Sequence, residues 1–457
     1  MAVRRSRSGL RQQASINGGG RAAFSLPIWL QSGFMSTGST KLSRIHQTAV
    51  EANPGAGSVS PSPRRSVTEV LRVFLRLGLT SFGGPIAHLG YYHREFVERR
   101  RWLDESHYAQ LLAPSQFLPG PSSTQFGFCV GLLRAGWRGA FAAFLAFTLP
   151  SALLLFAFAR FSPALGGPHG EALLHGLKLT AVAVVAQGVL AMARTLTPDW
   201  PRVLLALASV ALVLASGTGW SQLAVIALGA ACGPLVCRSV GPRIGAALPL
   251  DYGRRTGAVL LVLFAALLLG SWLIPPNAPL LLRAAAAFYK TGSLVFGGGH
   301  VVLPLLKQAV VEPGLVGEND FLNGYGAAQA MPGPMFSVAA FLGARLDHGQ
   351  GGALGAVVSL GAIFLPGLLL VSGVLPFWNR LAAHVGAARV MAGVNATVVG
   401  LLAAALYDPL WVSAVHAPAD IGIALTGLLL LLTGRVPTLA VVAWCVAGRL
   451  LATAAGG

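Results

Sequence analysis

From about residue 70 onward the chain is a succession of apolar runs separated by short polar loops. Thirteen runs centre near 70–90, 111–133, 138–160, 172–195, 201–216, 221–237, 256–274, 280–306, 323–344, 352–375, 385–405, 419–433 and 437–453. A helix needs about 20 apolar residues to cross the hydrocarbon core, and most of these runs suffice; the shorter ones tilt or thin the bilayer locally. Backbone groups in lipid find no water, so each spanning segment must satisfy its own hydrogen bonds. The expected fold class is an all-α polytopic membrane protein.

Composition supports this. Hydrophobic residues make up 54% of the 457 and charged residues 11%, against about 25% charged in a soluble domain. Such a chain cannot cover its surface with charge, so the lipid bilayer is its first partner. Lys+Arg 33 against Asp+Glu 15 gives +18. In a soluble chain this would suggest nucleic acid. Here the excess sits in the first sixty-odd residues and in short loops, and reads as a positive-inside signal, with no nucleic acid expected. Cys129, Cys232, Cys237 and Cys445 form no paired motif, so neither a metal nor another cofactor is expected.

Residues 1–66 are rich in Arg, Ser and Gly, with Glu51 as their one acid. They cannot bury a core and read as a disordered arm. The same composition fits an organelle transit peptide, and Met35 could equally begin the chain.

The remainder repeats itself. Phe74–Gly84 reads FLRLGLTSFGG and Phe288–Gly298 reads FYKTGSLVFGG; Gln116–Pro121 reads QFLPGP and Gln329–Pro334 reads QAMPGP. Leu149-Pro150 then matches Leu365-Pro366, and Gly176-Leu177 matches Gly393-Val394. These landmarks keep their order at an offset near 214. The reading is two homologous halves, 67–240 and 280–457, joined by a linker over 241–279 that holds the single apolar run at 256–274.

Glycine and proline fall where a spanning helix should not have them. Gly83, Gly84, Gly297 and Gly298 interrupt the first segment of each half, and Pro119-Gly120-Pro121 and Pro332-Gly333-Pro334 interrupt the second. Proline removes a backbone donor and clashes with the preceding turn. Broken segments at equivalent places in two halves point to a transporter binding site; the plainer alternative is kinked helices packed closely through their glycines.

The TSFGGP, QFLPGP, SLVFGGGH and QAMPGP blocks with the paired LP motifs resemble the long-chain chromate transporter family over about 70–455. The resemblance implies export of chromate, a tetrahedral dianion, conferring chromate resistance, with sulfate as a structural mimic. It places the chain in the plasma membrane; an organelle membrane follows instead if the arm is a transit peptide. A homodimer is compatible with the sequence.

The residues agree on the sign of the substrate. Arg76 and Lys290 occupy matched positions beside the breaks, and no acid falls in the middle of an apolar segment. Intramembrane cations and open backbone N–H groups together suit an anion; the alternative is that both side chains snorkel. Gln116 and Gln329 could donate amide hydrogens and Ser81 a hydroxyl. Ser122, Ser123 and Thr124 follow the first PGP, whereas Met335, Phe336 and Ser337 follow the second, so the site is expected to be asymmetric. Glu105 and Glu318, 213 apart, are candidates for proton coupling, with His300 the fallback.

Arginine placement favours hairpins. If every segment spans, the loop at 93–102 lies opposite the basic stretch Arg64–Arg72, and the loop at 238–255 falls outside. If the first and second segments of each half are re-entrant, the loops at 93–102, 134–138, 194–202, 238–255, 376–390 and 435 share the cytoplasmic face. Those at 161–171, 217–221, 275–283, 308–320 and 406–420 share the other. The halves are then inverted repeats, because 256–274 crosses once. No nucleotide loop, HExxH or GxSxG is present, which disfavours a pump or an intramembrane enzyme. A secondary active exporter is the leading reading. The alternative is a transporter or channel for sulfate or another oxyanion.

Overall fold

Hairpins account for all four interrupted segments in the computed structural model, which describes residues 66–82, 84–162, 167–216, 220–241, 250–296 and 302–454. The arm 1–65 and Gly83, Gly297, Gly298 and His300 lie outside the described residues. In the N-terminal half, α1 (Val67–Thr80) breaks at Ser81-Phe82 and α2 (Gly84–His93) runs back, ending in a π-helical turn at Arg94–Arg99. Phe74 on α1 meets Phe96 at 5.3 Å between centroids, and Glu69 at the start of α1 pairs with Arg100 beyond the turn at 3.3 Å. Only a hairpin brings both ends together. Burial works against ionisation of Glu95, yet hydrogen bonds from Arg100 and Arg99 hold its carboxyl below the ordinary value, which adds a second ion pair at this base.

The second hairpin pairs α3 (Glu105–Phe117) with the first arm of α4 (Ser122–Phe161). Tyr108 and Phe126 pack at 4.8 Å, and Arg134 at the end of the arm lies 4.7 Å over the Trp102 ring just before α3. Thirteen residues of α3 rise about 20 Å, short of the roughly 30 Å core. Although α4 is continuous in length, it reverses at Ala135-Gly136. A Cβ added at Gly131 would meet the Gly139 carbonyl and, at 2.9 Å, the Ala143 side chain. In a straight helix residues eight apart are about 12 Å apart. The second arm leads on to α5 (Gly167–Leu196), α6 (Trp200–Ser216) and α7 (Trp220–Val236).

After α8 (Arg254–Trp272) the pattern recurs: α9 (Leu280–Leu294), α10 (Val302–Leu306) with its π-turn at Lys307–Val311, α11 (Glu318–Ala330) and α12 (Val338–Ala344). The α9 helix packs on α10 and its π-turn. Arg345 after α12 pairs with Asp320 at the start of α11 at 2.9 Å, closing the fourth hairpin. Then come α13 (Gly352–Val374), α14 (Val385–Ala405), α15 (Pro418–Leu432) and α16 (Thr438–Ala454). Among the described residues, five helices, α4, α5, α8, α13 and α14, are long and apolar enough to cross a membrane, and α6, α7, α15 and α16 are shorter apolar helices.

The halves interlock. Helix α5 packs on α15 and α16 of the other half, and its counterpart α14 packs on α6 and α7. The matched glycines make both contacts: a Cβ at Gly176 would lie 2.6 Å from the Val446 backbone, and one at Gly393 would lie 2.6 Å from that of Gly233. Contacts also sort the loops into two ends. One holds Glu69–Arg100, Trp102–Arg134, Trp137 against Tyr252 at 5.1 Å, and Arg389 donating to the Arg238 carbonyl at 3.2 Å. The other holds Asp320–Arg345, Lys178 donating to Asn319 at 3.3 Å, Lys307–Asp408, and Asp420 with Arg449. These are the same two groups that arginine placement predicts.

Candidate functional site: the crossed hairpin tips

Each PGP tip bonds to the broken first helix of the opposite half. The Gly120 N–H donates to the Val295 carbonyl at 2.7 Å, and the Gly333 N–H donates to the Ser81 carbonyl at 2.8 Å. Ser81 and Val295 are repeat mates, as are Gly120 and Gly333, so the two bonds form a reciprocal cross. The LP motifs complete it. Gln125 donates through Nε2 to the Pro119 carbonyl at 2.9 Å and to the Gly367 carbonyl at 3.0 Å, beside Pro366. On the other side Ser151, beside Pro150, donates to Ser337 Oγ at 2.7 Å. Broken helices normally leave orphan donors and acceptors; here each break satisfies part of the other.

The two arms of the cross differ in chemistry. In the first, α4 starts at Ser122 directly after Pro121 and no side chain caps it, so its N-terminal N–H groups and the positive end of its dipole face the cross. Around it Ser81, Ser123 and Thr124 are buried. Among the described residues, the hydroxyls of Ser81, Thr124 and Thr148 have no hydrogen-bond partner, and neither has Gln125 Oε1. His88, fully buried, bonds through Nε2 to the Ser81 carbonyl and through Nδ1 to Ser123 Oγ, both at 3.2 Å. The second arm is a short 3-10 turn at Met335–Ser337, in which Met335 and Phe336 are apolar and Ser337 is bonded to Ser151. The asymmetry expected from the sequence therefore holds. A narrow crevice joins Gly84 to Gln329, Gly333 and Met335.

Of the residues singled out in the sequence, Ser81, Gly84, Pro119, Gly120, Pro121, Gln329, Pro332, Gly333 and Pro334 belong to the cross or its crevice. Gln329 is buried, its amide 3.7 Å from Met335 Sδ. Its mate Gln116 is exposed. The cations stand apart. Helix α1 buries Val70, Val73, Phe74 and Leu77, so Arg76, about 200° round from Phe74, is exposed with Leu75 and Leu79. Lys290 stacks over Trp272 of α8 at 5.1 Å. Glu105 and Glu318 sit at the hairpin bases, about 20 Å along α3 and α11 from the PGP tips. They pair there with the matched residues His93 and Lys307, each at 3.0 Å.

Sequence reasoning missed His88, Gln125 and Ser151. His88 has Val302 at its repeat position, so symmetry offered no signal; its place four residues past Gly84 did.

A family model described as Chromate transporter matches residues 68–234 and 282–450. The chain is 30% identical over 348 residues to a probable chromate transport protein of Synechococcus elongatus, covering 75% of this chain and 84% of that one. It is 29% identical over 377 residues to a chromate transport protein of Pseudomonas aeruginosa, covering 78% and 84%. A third such protein, from Cupriavidus metallidurans, is 27% identical over 359 residues, covering 77% and 84%. No solved structure matches. With both halves matched by one family model and the relatives covered over most of their length, the chain belongs to the chromate transporter family.

Proposed function

We propose that this protein is a secondary active exporter of chromate across the plasma membrane, built from two inverted repeats spanning 67–240 and 280–457. The observation that carries the reading is the uncapped start of α4 with buried hydroxyls of Ser81 and Thr124 that have no partner among the described residues. Buried polar groups are rarely left unpaired. Donors gathered at a helix N-terminus suit a tetrahedral oxyanion, with sulfate the closest mimic in shape and charge. The loop end carrying Arg94, Arg99, Arg100, Arg101 and Arg238 takes the cytoplasmic side by the positive-inside rule. Arg76 and Lys290 stay outside the proposed site because their side chains point away from the cross or rest on Trp272.

Vesicles containing the protein should accumulate chromate against its gradient when energised and lose it on adding an uncoupler. Equilibration without accumulation would make the protein a passive oxyanion channel instead.

A further inference from the structure

His88 is a fully buried ionisable group at the cross that the transport reading leaves unused. Its two bonds define its state. The Ser81 carbonyl can only accept, so Nε2 carries hydrogen; in the neutral ring Nδ1 then accepts from the Ser123 hydroxyl. Among the described residues, the groups facing it include Ser81 at the end of α1, and Ser123 and Phe147 from the two arms of α4, with the Phe147 ring edge-on at 5.4 Å. Tyr92, one turn further along α2 and 5.5 Å from the Phe147 ring, is the neighbouring ionisable group. From the opposite half, the Gly333 N–H shares the Ser81 carbonyl with the imidazole.

We infer that His88 is a positioning residue that takes up a proton when the oxyanion binds and, through Ser123, turns a hydroxyl towards it. The inference rests on reading the cross as the oxyanion site. Protonation at Nδ1 reverses one hydrogen bond. The ring now donates to Ser123 Oγ, and the Ser123 hydroxyl hydrogen is released to point at the anion beside the free hydroxyls of Ser81 and Thr124. The proton comes from solvent on the side where the anion enters, rests on Nδ1 during the bound state, and returns to solvent when the anion leaves; no other bond is made or broken. A dianion in a low-dielectric site favours the imidazolium, and the imidazolium favours the dianion, by the same free energy. Proton and anion therefore bind together, on a residue that neither Glu105 nor Glu318 needs to reach.

The test uses the purified full-length protein in lipid nanodiscs, weakly buffered near pH 8, where chromate is itself unprotonated. Chromate binding and proton uptake are measured together. Wild type should take up about one proton per chromate bound. His88→Gln should take up none, and its affinity should lose its dependence on pH between about 7 and 9. Ser123→Ala, which keeps the imidazole, should bind about 10-fold more weakly and take up less proton, as expected for a lost hydrogen bond to a charged ligand. Uptake undiminished in either variant, or absent from a wild type that binds chromate, overturns the role of His88 and leaves the site standing. A wild type that binds no chromate overturns the site itself.

Discussion

Replacing Gly120 or Gly333 by alanine is expected to abolish chromate transport. Both residues hold a positive φ, 122° and 97°, where a Cβ collides with its own backbone. Space fails as well. A Cβ at Gly120 would lie 2.9 Å from the Gly367 Cα, which is backbone and cannot swing aside, and one at Gly333 would lie 2.9 Å from Ser151 Oγ. Strain of about 1–3 kcal/mol for the dihedral adds to the loss of a buried backbone bond, each orphaned group costing about 1–3 kcal/mol. Because each bond joins one half to the other, a single alanine loosens both arms of the cross. Chromate accumulation in energised vesicles should fall to the level of empty vesicles, with less protein recovered in the membrane for Gly120 than for Gly333. Wild-type accumulation by either variant would mean that the tips need not meet.

The opposite combination, an intact fold without transport, is expected from Ser81→Ala with Thr124→Val. Both hydroxyls are buried and have no partner among the described residues, so removing them leaves none of those residues unsatisfied and can be neutral or stabilising. The bound oxyanion, however, would lose two donors. Hydrogen bonds to charged groups contribute about 1.5–3 kcal/mol each, so chromate should bind on the order of 100-fold more weakly or worse. The double variant should reach the membrane in wild-type amount and melt at the wild-type temperature or above. Equal melting with undiminished affinity would remove these hydroxyls from the site. The contrast with the glycines separates residues that build the cross from residues that face what it holds.

Much of this architecture is legible in the sequence because glycine and proline cannot be hidden in a spanning helix. The TSFGGP and QFLPGP blocks and their repeats mark the four hairpins, and the loops that meet in the structure fall within the groups that arginine placement sorts. What the sequence does not convey is partnership. That Gly176 and Gly393 recur at matched positions is visible; that each seats its helix against the other half is not, since a small residue permits a close approach without naming the neighbour. The place of Arg76, exposed and apart from the cross, has a different cause. The apolar positions Val70, Val73, Phe74 and Leu77 already define a buried stripe at helical spacing, and Arg76 falls off it. A cation in an apolar segment drew attention through its charge, where its phase on the helix was the better guide. Lys290 lies on a half-buried edge of α9 and finds an aromatic ring from α8, a helix with no repeat mate, so symmetry could not have indicated it. Symmetry also worked against His88, Ser123 and Thr124, because the polar arm of the cross exists in one half only.

On the proposed reading the oxyanion is held where the two halves cross, on the polar arm. Crystals of the protein soaked in chromate, with data collected at the chromium absorption edge, test this most directly, because the anomalous signal locates the metal atom without reference to any side chain. The account predicts one dominant peak at the N-terminus of α4, within hydrogen-bonding reach of Ser81, Ser123 and Thr124 and close to the Gly120–Val295 and Gly333–Ser81 bonds. A dominant peak beside Arg76 or Lys290, with none at the cross, would contradict it.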